Sequence, residues 1–240
     1  MYSHKTQVTA SHIGVTGYQT TVSVLSMMQD CSQLWFDNTP VIKDYLDANA
    51  VTMIMTFRQV DFLQEAVYGT PLVVKTGVYD CNGFTGGRNT LITNDAGELF
   101  AKSWSAGLFI DIASGKPARL PKELLAVFPF DEKLEMEYLD KRIPLPAGEP
   151  KVHPSFTAMR SDIDYNNHVN NTHYVRMACE FVPEKVSYGR MRVEYKLAAK
   201  LGDKLTPWVY DATPDAVTVV LVNEEEKPYA LVEFSQLQVR

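Results

Sequence analysis

The sequence predicts an α+β fold in which a helix followed by an antiparallel sheet occurs twice. Both halves contain runs of β-branched and aromatic residues separated by Gly, Asn and Asp, which is typical of short antiparallel strands. An amphipathic segment of helical period precedes each set of strands. The two sets can also be overlaid at one constant offset without a gap, as expected for an internal repeat. The identical pairs in this overlay are Val60 with Val193, Ala66 with Ala199, and Gly69 with Gly202.

The first helix is predicted over residues 18–36, where Val22, Leu25 and Met28 recur at helical spacing on one side. A meander of antiparallel strands follows, because turn residues at 82–83 and 94–97 separate strand-like runs. The predicted strands are residues 51–62, 72–79, 89–93 and 99–112.

The second half repeats this order. Its helix is predicted over residues 171–182, with Pro183 as the stop signal. Along residues 188–201 apolar and polar residues alternate, so the apolar side chains point to one face of this strand, which is predicted to pack on a helix, and the polar ones point to the other. The remaining predicted strands are residues 205–212, 217–222 and 229–239.

A proline-rich segment, residues 117–150, separates the two repeats. Its six prolines and mixed charges indicate a linker that crosses a surface, with one short helix at 122–126. The sequence therefore predicts an N-terminal module (1–116), a linker (117–150) and a C-terminal module (151–240).

The composition argues against several classes of protein. The net charge of −6 and the lack of a basic cluster argue against binding to nucleic acid. No apolar run approaches the ~18 residues that a membrane span needs, and no apolar segment follows the first residues as in a signal peptide. The three cysteines form no C-x-x-C pair, which fits a reducing cytoplasm. We therefore expect a cytoplasmic protein whose partners are small molecules or other proteins.

Residues 160–174 form a segment dense in polar side chains that ends where the second helix is predicted to begin. Polar side chains at this density cost free energy on burial unless they bond to one another or to a ligand. Asp164, Asn166 and His168 alternate, so an extended backbone would direct all three to the same side. These three residues are therefore candidates for a chemical site.

The helix that follows supplies a second part of such a site. Asn170 or Asn171 can act as its N-cap. The N–H groups of the first turn, at Asn170, Asn171 and Thr172, and the positive end of the helix would then face a developing negative charge. We expect these three residues to bind substrate.

Other interpretations of this segment compete. Asp162, Asp164 and Asn166 match the opening of a calcium-binding EF-hand loop, but Asn167 and His173 stand where that loop needs Gly and Glu. A zinc site lacks an obvious third ligand beside the two histidines of the segment. A purely structural cluster of Asx turns and helix caps remains open.

The same segment resembles the acyl-acyl-carrier-protein (acyl-ACP) thioesterases. The family pattern is close to S-D-L-D-x-N-x-H-V-N-N-x-x-Y, followed by a helix that ends near E-x-x-P. Residues 161–174 read S-D-I-D-Y-N-N-H-V-N-N-T-H-Y, and Glu180 and Pro183 follow them. The likeness covers nearly the whole chain. In the first half the features that match the family are Arg88 before a strand, the Asp95-Ala96-Gly97 turn, Ser103-Trp104, and the segment 116–121 by which the chain leaves the first module.

The resemblance implies two tandem hotdog modules, each an antiparallel sheet wrapped on a central helix. It implies that Asp164, Asn166 and His168 line the catalytic site of the second module, and that the first module, with residues 14–17 before its helix, holds the acyl chain. One residue departs from the family pattern, since Ala198 stands where the family commonly places a catalytic Glu. Neither a metal nor a cofactor is expected.

The resemblance also implies the reaction, which is hydrolysis of a fatty acyl-ACP thioester to release a free fatty acid in fatty acid biosynthesis. His168, oriented by Asp164, would take a proton from the attacking water. The N–H groups of the helix start and the Asn166 amide would stabilise the developing negative charge. If Asp164 is the base instead, His168 becomes the electrophile. An acyl-CoA thioesterase and an inactive acyl-binding protein remain alternatives.

An acyl-carrier protein is the partner that this reaction implies, and carrier proteins are acidic. Residues 176–204 contain seven Lys and Arg residues against four acidic ones, which predicts a basic face that steers such a partner. A solvated strand face is the alternative. The sequence leaves open whether the protein forms a homodimer.

Overall fold

The computed structural model describes residues 1–183, 188–213 and 216–237, without the side chains of residues 211–213. The chain divides into two compact units. The first consists of Met1–Thr56 and Phe62–Tyr138, and the second of Phe57–Asp61 and Leu139–Arg240. Each unit contains a helix on an antiparallel sheet, as the sequence predicts.

The first unit is built from helices α1 (Thr21–Asp37), α2 (Pro40–Ala48) and α3 (Lys122–Ala126) and from five strands. Its strands lie in the order β1-β3-β4-β5-β2, and α1 packs against β3 and β4. The strands are β1 (Tyr2–Gln7), β2 (Val51–Phe62), β3 (Pro71–Cys81), β4 (Thr85–Thr93) and β5 (Leu99–Asp111).

The long helix α1 lies on the sheet because its sequence buries a continuous apolar face. Thr20 begins the helix, since its Oγ1 accepts a hydrogen bond from the Ser23 N–H at 3.2 Å. Met28 and Cys31 are fully buried, and the Cys31 Sγ donates to the Val74 carbonyl of β3 at 3.4 Å. The helix predicted over 18–36 is therefore confirmed, apart from its first residues.

The second unit contains α4 (Asn171–Cys179), which packs against β10 and β11. Residues 57–61 of β2 pair with β8, the order continues as β8-β11-β10-β9-β6, and β7 also pairs with β9. The last predicted strand extends to residues 238–239, which lie outside the described part of the chain. The strands are β6 (Lys151–Val152), β7 (Phe156–Thr157), β8 (Arg190–Tyr195), β9 (Lys204–Thr213), β10 (Ala216–Val222) and β11 (Pro228–Ser235).

Matching loop hydrogen bonds confirm the internal repeat. In each unit a glycine in the left-handed conformation follows the strand, with a φ of 82° at Gly69 and 88° at Gly202. The Gly69 N–H donates to the Val8 carbonyl at 2.9 Å, and the Gly202 N–H donates to the Ala158 carbonyl at 3.0 Å. The sequence overlay pairs these two glycines, and a side chain would be strained at either position. The shared turn therefore explains why glycine stands at both.

The strand predicted over residues 188–201 is wrong in its second part. β8 ends at Tyr195, and the residues after it form a loop. Leu197 is exposed while Ala199 is fully buried, so the alternation of apolar residues beyond Tyr195 does not reflect a strand. The loop returns to the helix instead, where the Ala199 N–H donates to the Tyr174 Oη at 2.7 Å.

The two arginines on the polar face of β8 are not solvated, so the alternative of a solvated strand face does not hold for them. Arg190 and Arg192 are buried, and a carboxylate from a neighbouring strand holds each guanidinium. Arg190 binds Asp61 through Nε at 2.6 Å and through Nη2 at 2.9 Å. Arg192 binds Glu233 through the same two nitrogens, both at 2.9 Å. Ion pairs with neighbouring strands therefore cover this part of the polar face of β8.

The proline-rich segment lies along the sheet and is held there by hydrogen bonds. Its helix α3 confirms the short helix predicted at 122–126. In the first unit, the Leu134 N–H and the Tyr138 Oη donate to the Asn89 Oδ1 of β4 at 3.1 and 3.0 Å. In the second unit, the Ile143 N–H donates to the Glu194 Oε2 of β8 at 3.0 Å. The boundary between the two units falls within this segment.

Candidate active site

The candidate catalytic residues lie in a tight hairpin, residues 163–169, which we call the catalytic turn. Its ends pair as an antiparallel bridge between Ile163 and Val169. Inside it, the Asp164 N–H donates to the His168 carbonyl at 2.9 Å, and the Asn167 N–H donates to the Asp164 carbonyl at 3.0 Å. Asp164 and His168 therefore stand opposite each other across a turn, and the extended backbone predicted for this segment is wrong.

The residue types of the segment explain the shape of the catalytic turn. Asn167 has a φ of 61°, in the left-handed region that asparagine tolerates better than most residues. The Asp164 Oδ1 accepts a hydrogen bond from the Asn166 N–H at 2.8 Å, which forms an Asx turn. The interpretation as turns and caps thus accounts for the backbone and for one bond of the Asp164 carboxylate, while the His168 ring is left without a structural explanation.

The three predicted catalytic side chains differ in exposure and in hydrogen bonding. Asp164 and His168 are half-buried, whereas Asn166 is exposed at the tip of the turn. Within the described part of the chain, the His168 ring makes no hydrogen bond or ion pair, so the predicted orienting contact from Asp164 is not formed. The imidazole is therefore uncommitted and can meet a substrate or a water molecule.

The start of α4 follows the catalytic turn directly. Asn170 is the N-cap, because its Oδ1 accepts hydrogen bonds from the N–H and the Oγ1 of Thr172, both at 2.9 Å. The Asn170 N–H donates to the Asp162 carbonyl at 2.9 Å. Of the three N–H groups predicted to bind substrate, only that of Asn171 has no partner among the described residues. The helix start therefore offers one uncommitted donor, where three were predicted.

Two tyrosines that sequence reasoning did not select support the helix start. The Tyr195 Oη donates to the Asn171 carbonyl at 3.1 Å, and the Tyr174 Oη accepts from the Ala199 N–H at 2.7 Å. The two rings meet edge to face, with 6.0 Å between their centroids. Burial raises the pKa of Tyr174 to about 12 and also raises the pKa of Tyr195, so both hydroxyls stay protonated. The signals that could have identified them are their positions, since Tyr174 lies in the first turn of α4 and Tyr195 is the last residue of β8.

Asp162 anchors the segment to α4. It is buried, its Oδ2 accepts the Met159 N–H at 2.8 Å, and its Oδ1 pairs with Arg176. The His173 Nδ1 lies 3.4 Å from the same Oδ1. Burial, followed by the charge of Arg176, lowers the pKa of His173, so this ring is neutral near pH 7.

The structure does not support the calcium and zinc interpretations of the segment. The Asp162 carboxylate is bound to Arg176 and to backbone, which leaves it poorly placed to be a metal ligand. Among the residues that the structure describes, no three His, Cys, Asp or Glu side chains are grouped to hold a metal ion.

The position where the family commonly has a glutamate carries Ala198, which is exposed in the loop after β8. Glu194, on β8 just before this loop, is an acidic residue that could replace the glutamate, but its carboxylate is bound to other groups. Its Oε2 accepts the Ile143 N–H at 3.0 Å and its Oε1 pairs with Lys196. Asp164, which pairs with His168 through the backbone, is therefore the candidate carboxylate of the segment.

The first unit contains a turn with the same backbone but without the candidate catalytic side chains. The Gly14 N–H donates to the Tyr18 carbonyl at 3.0 Å, and Gly17 has a φ of 81°, matching the left-handed Asn167 of the catalytic turn. Gly14, Thr16 and Tyr18 stand in the places of Asp164, Asn166 and His168.

A narrow apolar cavity of about 40 Å³ lies inside the first unit. Phe36, Met53 and Phe109 are among its lining residues. Gly107 makes room for the Met53 side chain, since a Cβ at this position would lie 2.7 Å from the Met53 Sδ. The cavity has the apolar lining that an aliphatic chain requires.

The basic face predicted over residues 176–204 is largely neutralised within the molecule. Five of its cations pair with carboxylates, and the two β8 arginines among them are buried. Lys200 is exposed, and Lys185 lies outside the described residues. The prediction of a continuous basic surface is therefore wrong, because a count along the sequence does not show which cations are paired. The pairs are Arg176 with Asp162, Arg190 with Asp61, Arg192 with Glu233, Lys196 with Glu194 and Lys204 with Glu224.

Comparison with protein families gives a match in each half of the chain. Residues 148–227 match the acyl-ACP thioesterase C-terminal domain, and residues 10–128 match the thioesterase-like superfamily. A comparison with curated protein sequences gives no match. No helix in the described residues is both long and apolar enough to cross a membrane.

Solved structures with the same fold over nearly the full chain include acyl-ACP thioesterases. One from Bacteroides thetaiotaomicron is 18% identical with a TM-score of 0.86, and the match covers 97% of this chain and 96% of that one. The 12:0-ACP thioesterase from Umbellularia californica is 14% identical with a TM-score of 0.82, covering 98% and 96%. The two tandem hotdog modules are thereby confirmed. The chain is a double-hotdog thioester hydrolase similar to the acyl-ACP thioesterases, whose C-terminal domain it matches in its second module.

Proposed function

We propose that this protein hydrolyses the thioester of fatty acyl-ACP and releases a free fatty acid, as a step of fatty acid biosynthesis in the cytoplasm. The observation that carries this proposal is the pairing of Asp164 and His168 across the catalytic turn, next to the uncommitted Asn171 N–H. These residues lie in the part of the chain that matches the acyl-ACP thioesterase C-terminal domain.

His168 is proposed as the general base. Imidazole accepts and releases protons near neutral pH, and no hydrogen bond in the described chain commits this ring to another role. Asp164 is paired with His168 through its backbone N–H, and its carboxylate is proposed to orient the ring and to stabilise it once it has taken a proton from water. The hydroxide produced in this way attacks the carbonyl carbon of the thioester.

The start of α4 is proposed to stabilise the oxyanion. As the hydroxide attacks, the carbonyl oxygen gains negative charge, which the Asn171 N–H and the positive end of the helix can offset. Asn170 and Thr172 assist by fixing the cap that presents this N–H. When the C–S bond breaks, the carrier thiolate leaves and takes the proton from His168, so the reaction needs no strong acid.

Two further parts of the substrate, the carrier-bound thioester and the acyl chain, are assigned from the exposure of Asn166 and from the apolar lining of the cavity. Asn166 is exposed at the tip of the catalytic turn, so we propose that its amide contacts the carrier-bound thioester as it arrives. The first unit is proposed to hold the fatty acyl chain, for which its apolar cavity of about 40 Å³ would have to widen towards the ~300 Å³ of a small ligand pocket.

Hydrolysis of dodecanoyl-ACP by the purified protein tests the proposed function. H168A and D164N are each expected to lower kcat about a hundredfold or more. H153A removes a histidine of the same unit that lies outside the catalytic turn, and it should retain activity. Near-wild-type turnover in H168A or D164N would overturn the assignment of these residues.

Two alternatives are separated by the same assay. We expect kcat/KM for dodecanoyl-ACP to exceed that for dodecanoyl-CoA, and the reverse order would indicate an acyl-CoA thioesterase. The presence of Ala198 where the family commonly has Glu favours a second candidate, an acyl-binding protein without turnover. That candidate predicts that the wild type binds fatty acyl groups and hydrolyses neither thioester.

A further inference from the structure

Arg58 is a fully buried cation in strand β2. Its exposed fraction is 2%, and it belongs with residues 57–61 to the second unit, where it pairs with Val193 of β8. Phe57, Val60 and Val193 are fully buried as well. A charged side chain at such a position is costly unless it has a partner.

The structure leaves the side-on edge of this guanidinium empty. The Arg58 Nε and Nη2 are buried and have no hydrogen-bond partner among the described residues. These two nitrogens form the edge with which arginine binds a carboxylate through two parallel hydrogen bonds. Arg190 and Arg192, on the adjacent strand β8, use this same edge to bind Asp61 and Glu233.

The acidic residues of the neighbouring strands are already engaged. Asp61 of β2 is bound by Arg190, and Glu233 of β11 by Arg192. Glu194 of β8 accepts a backbone N–H and pairs with Lys196. Each of these three carboxylates therefore has its own cation, and none of them is an acceptor for the side-on edge of Arg58.

Arg58 lies close to the residues that hold the start of α4. Its charge acts on Tyr195, opposing the effect by which burial raises the pKa of that tyrosine. The Tyr195 Oη in turn donates to the carbonyl of Asn171, whose N–H is the uncommitted donor of the helix start. A group bound by Arg58 would therefore lie in the region of the proposed catalytic site.

We infer that the side-on edge of Arg58 binds the carboxylate of a fatty acid, which is the group formed when the thioester is hydrolysed. A carboxylate presents two coplanar oxygens that match Nε and Nη2, and the apolar surroundings of Arg58 suit a ligand whose remainder is aliphatic. The negative charge of this group also distinguishes it from the neutral thioester. The inference rests on the proposed function for the source of the fatty acid.

Calorimetric titration of the full chain with laurate and with dodecanol tests this inference. The two ligands share the aliphatic chain, and only laurate carries a carboxylate. We expect R58M to raise the Kd for laurate at least tenfold and to leave the Kd for dodecanol unchanged. R119M removes an exposed arginine and should change neither value. An unchanged laurate affinity in R58M overturns the inference, as does an equal loss of both ligands.

R58K decides the question if R58M does not fold. Lysine keeps the charge but lacks the two-nitrogen edge, so laurate should bind R58K more weakly than the wild type. Wild-type affinity in R58K would overturn the assignment of the edge. The result that refutes this inference differs from the result that refutes the proposed function. Hydrolysis of dodecanoyl-ACP by the wild type, with unaltered laurate binding in R58M, refutes this inference alone. Laurate binding that depends on Arg58, without any hydrolysis, refutes the function alone.

Discussion

Removing Arg190 from its pair with Asp61 is expected to destabilise the second unit strongly. The two side chains are only 7% and 6% exposed, and hydrogen bonds of 2.6 and 2.9 Å join them. R190M leaves the Asp61 carboxylate in the interior without its cation, which costs about 3–5 kcal/mol. Urea unfolding at pH 7, followed by tryptophan fluorescence, should therefore show a clearly lower midpoint than in the wild type.

R58M is the matched control for this experiment. It removes the same guanidinium from the same pair of strands, but no carboxylate loses its partner. We expect its unfolding midpoint to equal or exceed that of the wild type, because a desolvated charge with unmatched donors is removed. Equal destabilisation by R190M and R58M would refute the reasoning, since lost packing of the aliphatic stem would then set the cost rather than an unpaired charge.

Three further predictions concern the catalytic segment. N167V should lower the free energy of unfolding by about 1–3 kcal/mol while N167G should not, because a β-branched residue is strained at this left-handed position; equal unfolding midpoints would contradict this. Stability should fall as the pH drops below the ordinary histidine range, because the lowered pKa of His173 means that the unfolded chain binds this proton more readily. H173Q should reduce that dependence, and an unchanged slope in pH-dependent unfolding would argue against it. Y195F should raise the barrier to hydrolysis by about 1 kcal/mol through the lost bond to Asn171, whereas an unchanged kcat would show that the hydroxyl is dispensable.

The repeated fold could be predicted because its signals are local. Glycines at matching positions, such as Gly69 and Gly202, mark turns that require a left-handed backbone, and their spacing to the strands is the same in both halves. The helix α2 was missed, although Pro40 at its first position and the buried Ile42 and Leu46 at helical spacing are signals that could have identified it.

Charge pairing across distant strands could not be predicted from the sequence. The alternation in β8 placed Arg190 and Arg192 on one face, but a period-two pattern shows only which residues share a face and not what covers that face. Their partners come from β2 and β11, far away in the chain. The burial of Arg58 likewise depends on neighbouring strands and could not be predicted from the residues beside it in the sequence.

The residues of the candidate site were identifiable, while their geometry was not. Even spacing of Asp164, Asn166 and His168 suggested an extended segment, but the Asn167 backbone turns the chain back on itself. The turn sets Asp164 opposite His168 and sends Asn166 to the tip. Sequence spacing therefore identifies the residues of the site, and the left-handed asparagine determines which two of them pair across the turn.

A198E tests whether the missing family carboxylate limits the reaction. Ala198 is exposed, so a glutamate can be accommodated without disturbing the core. The carbonyl of its neighbour Ala199 accepts a hydrogen bond at 2.8 Å from the N–H of Val169, the residue that follows His168. A carboxylate at this position would thus lie near an imidazole that has no hydrogen-bond partner in the described chain, and we expect kcat for dodecanoyl-ACP to rise about tenfold or more.

The control A198Q has the same length without the charge, so a gain in A198E alone identifies the carboxylate as the cause. If A198E leaves kcat unchanged, Asp164 already supplies the negative charge that His168 needs when it becomes protonated. In that case D164N should be as damaging in the A198E background as in the wild type. If the added glutamate instead rescues D164N, the two carboxylates are interchangeable, and the charge beside the imidazole matters more than the strand or turn that provides it.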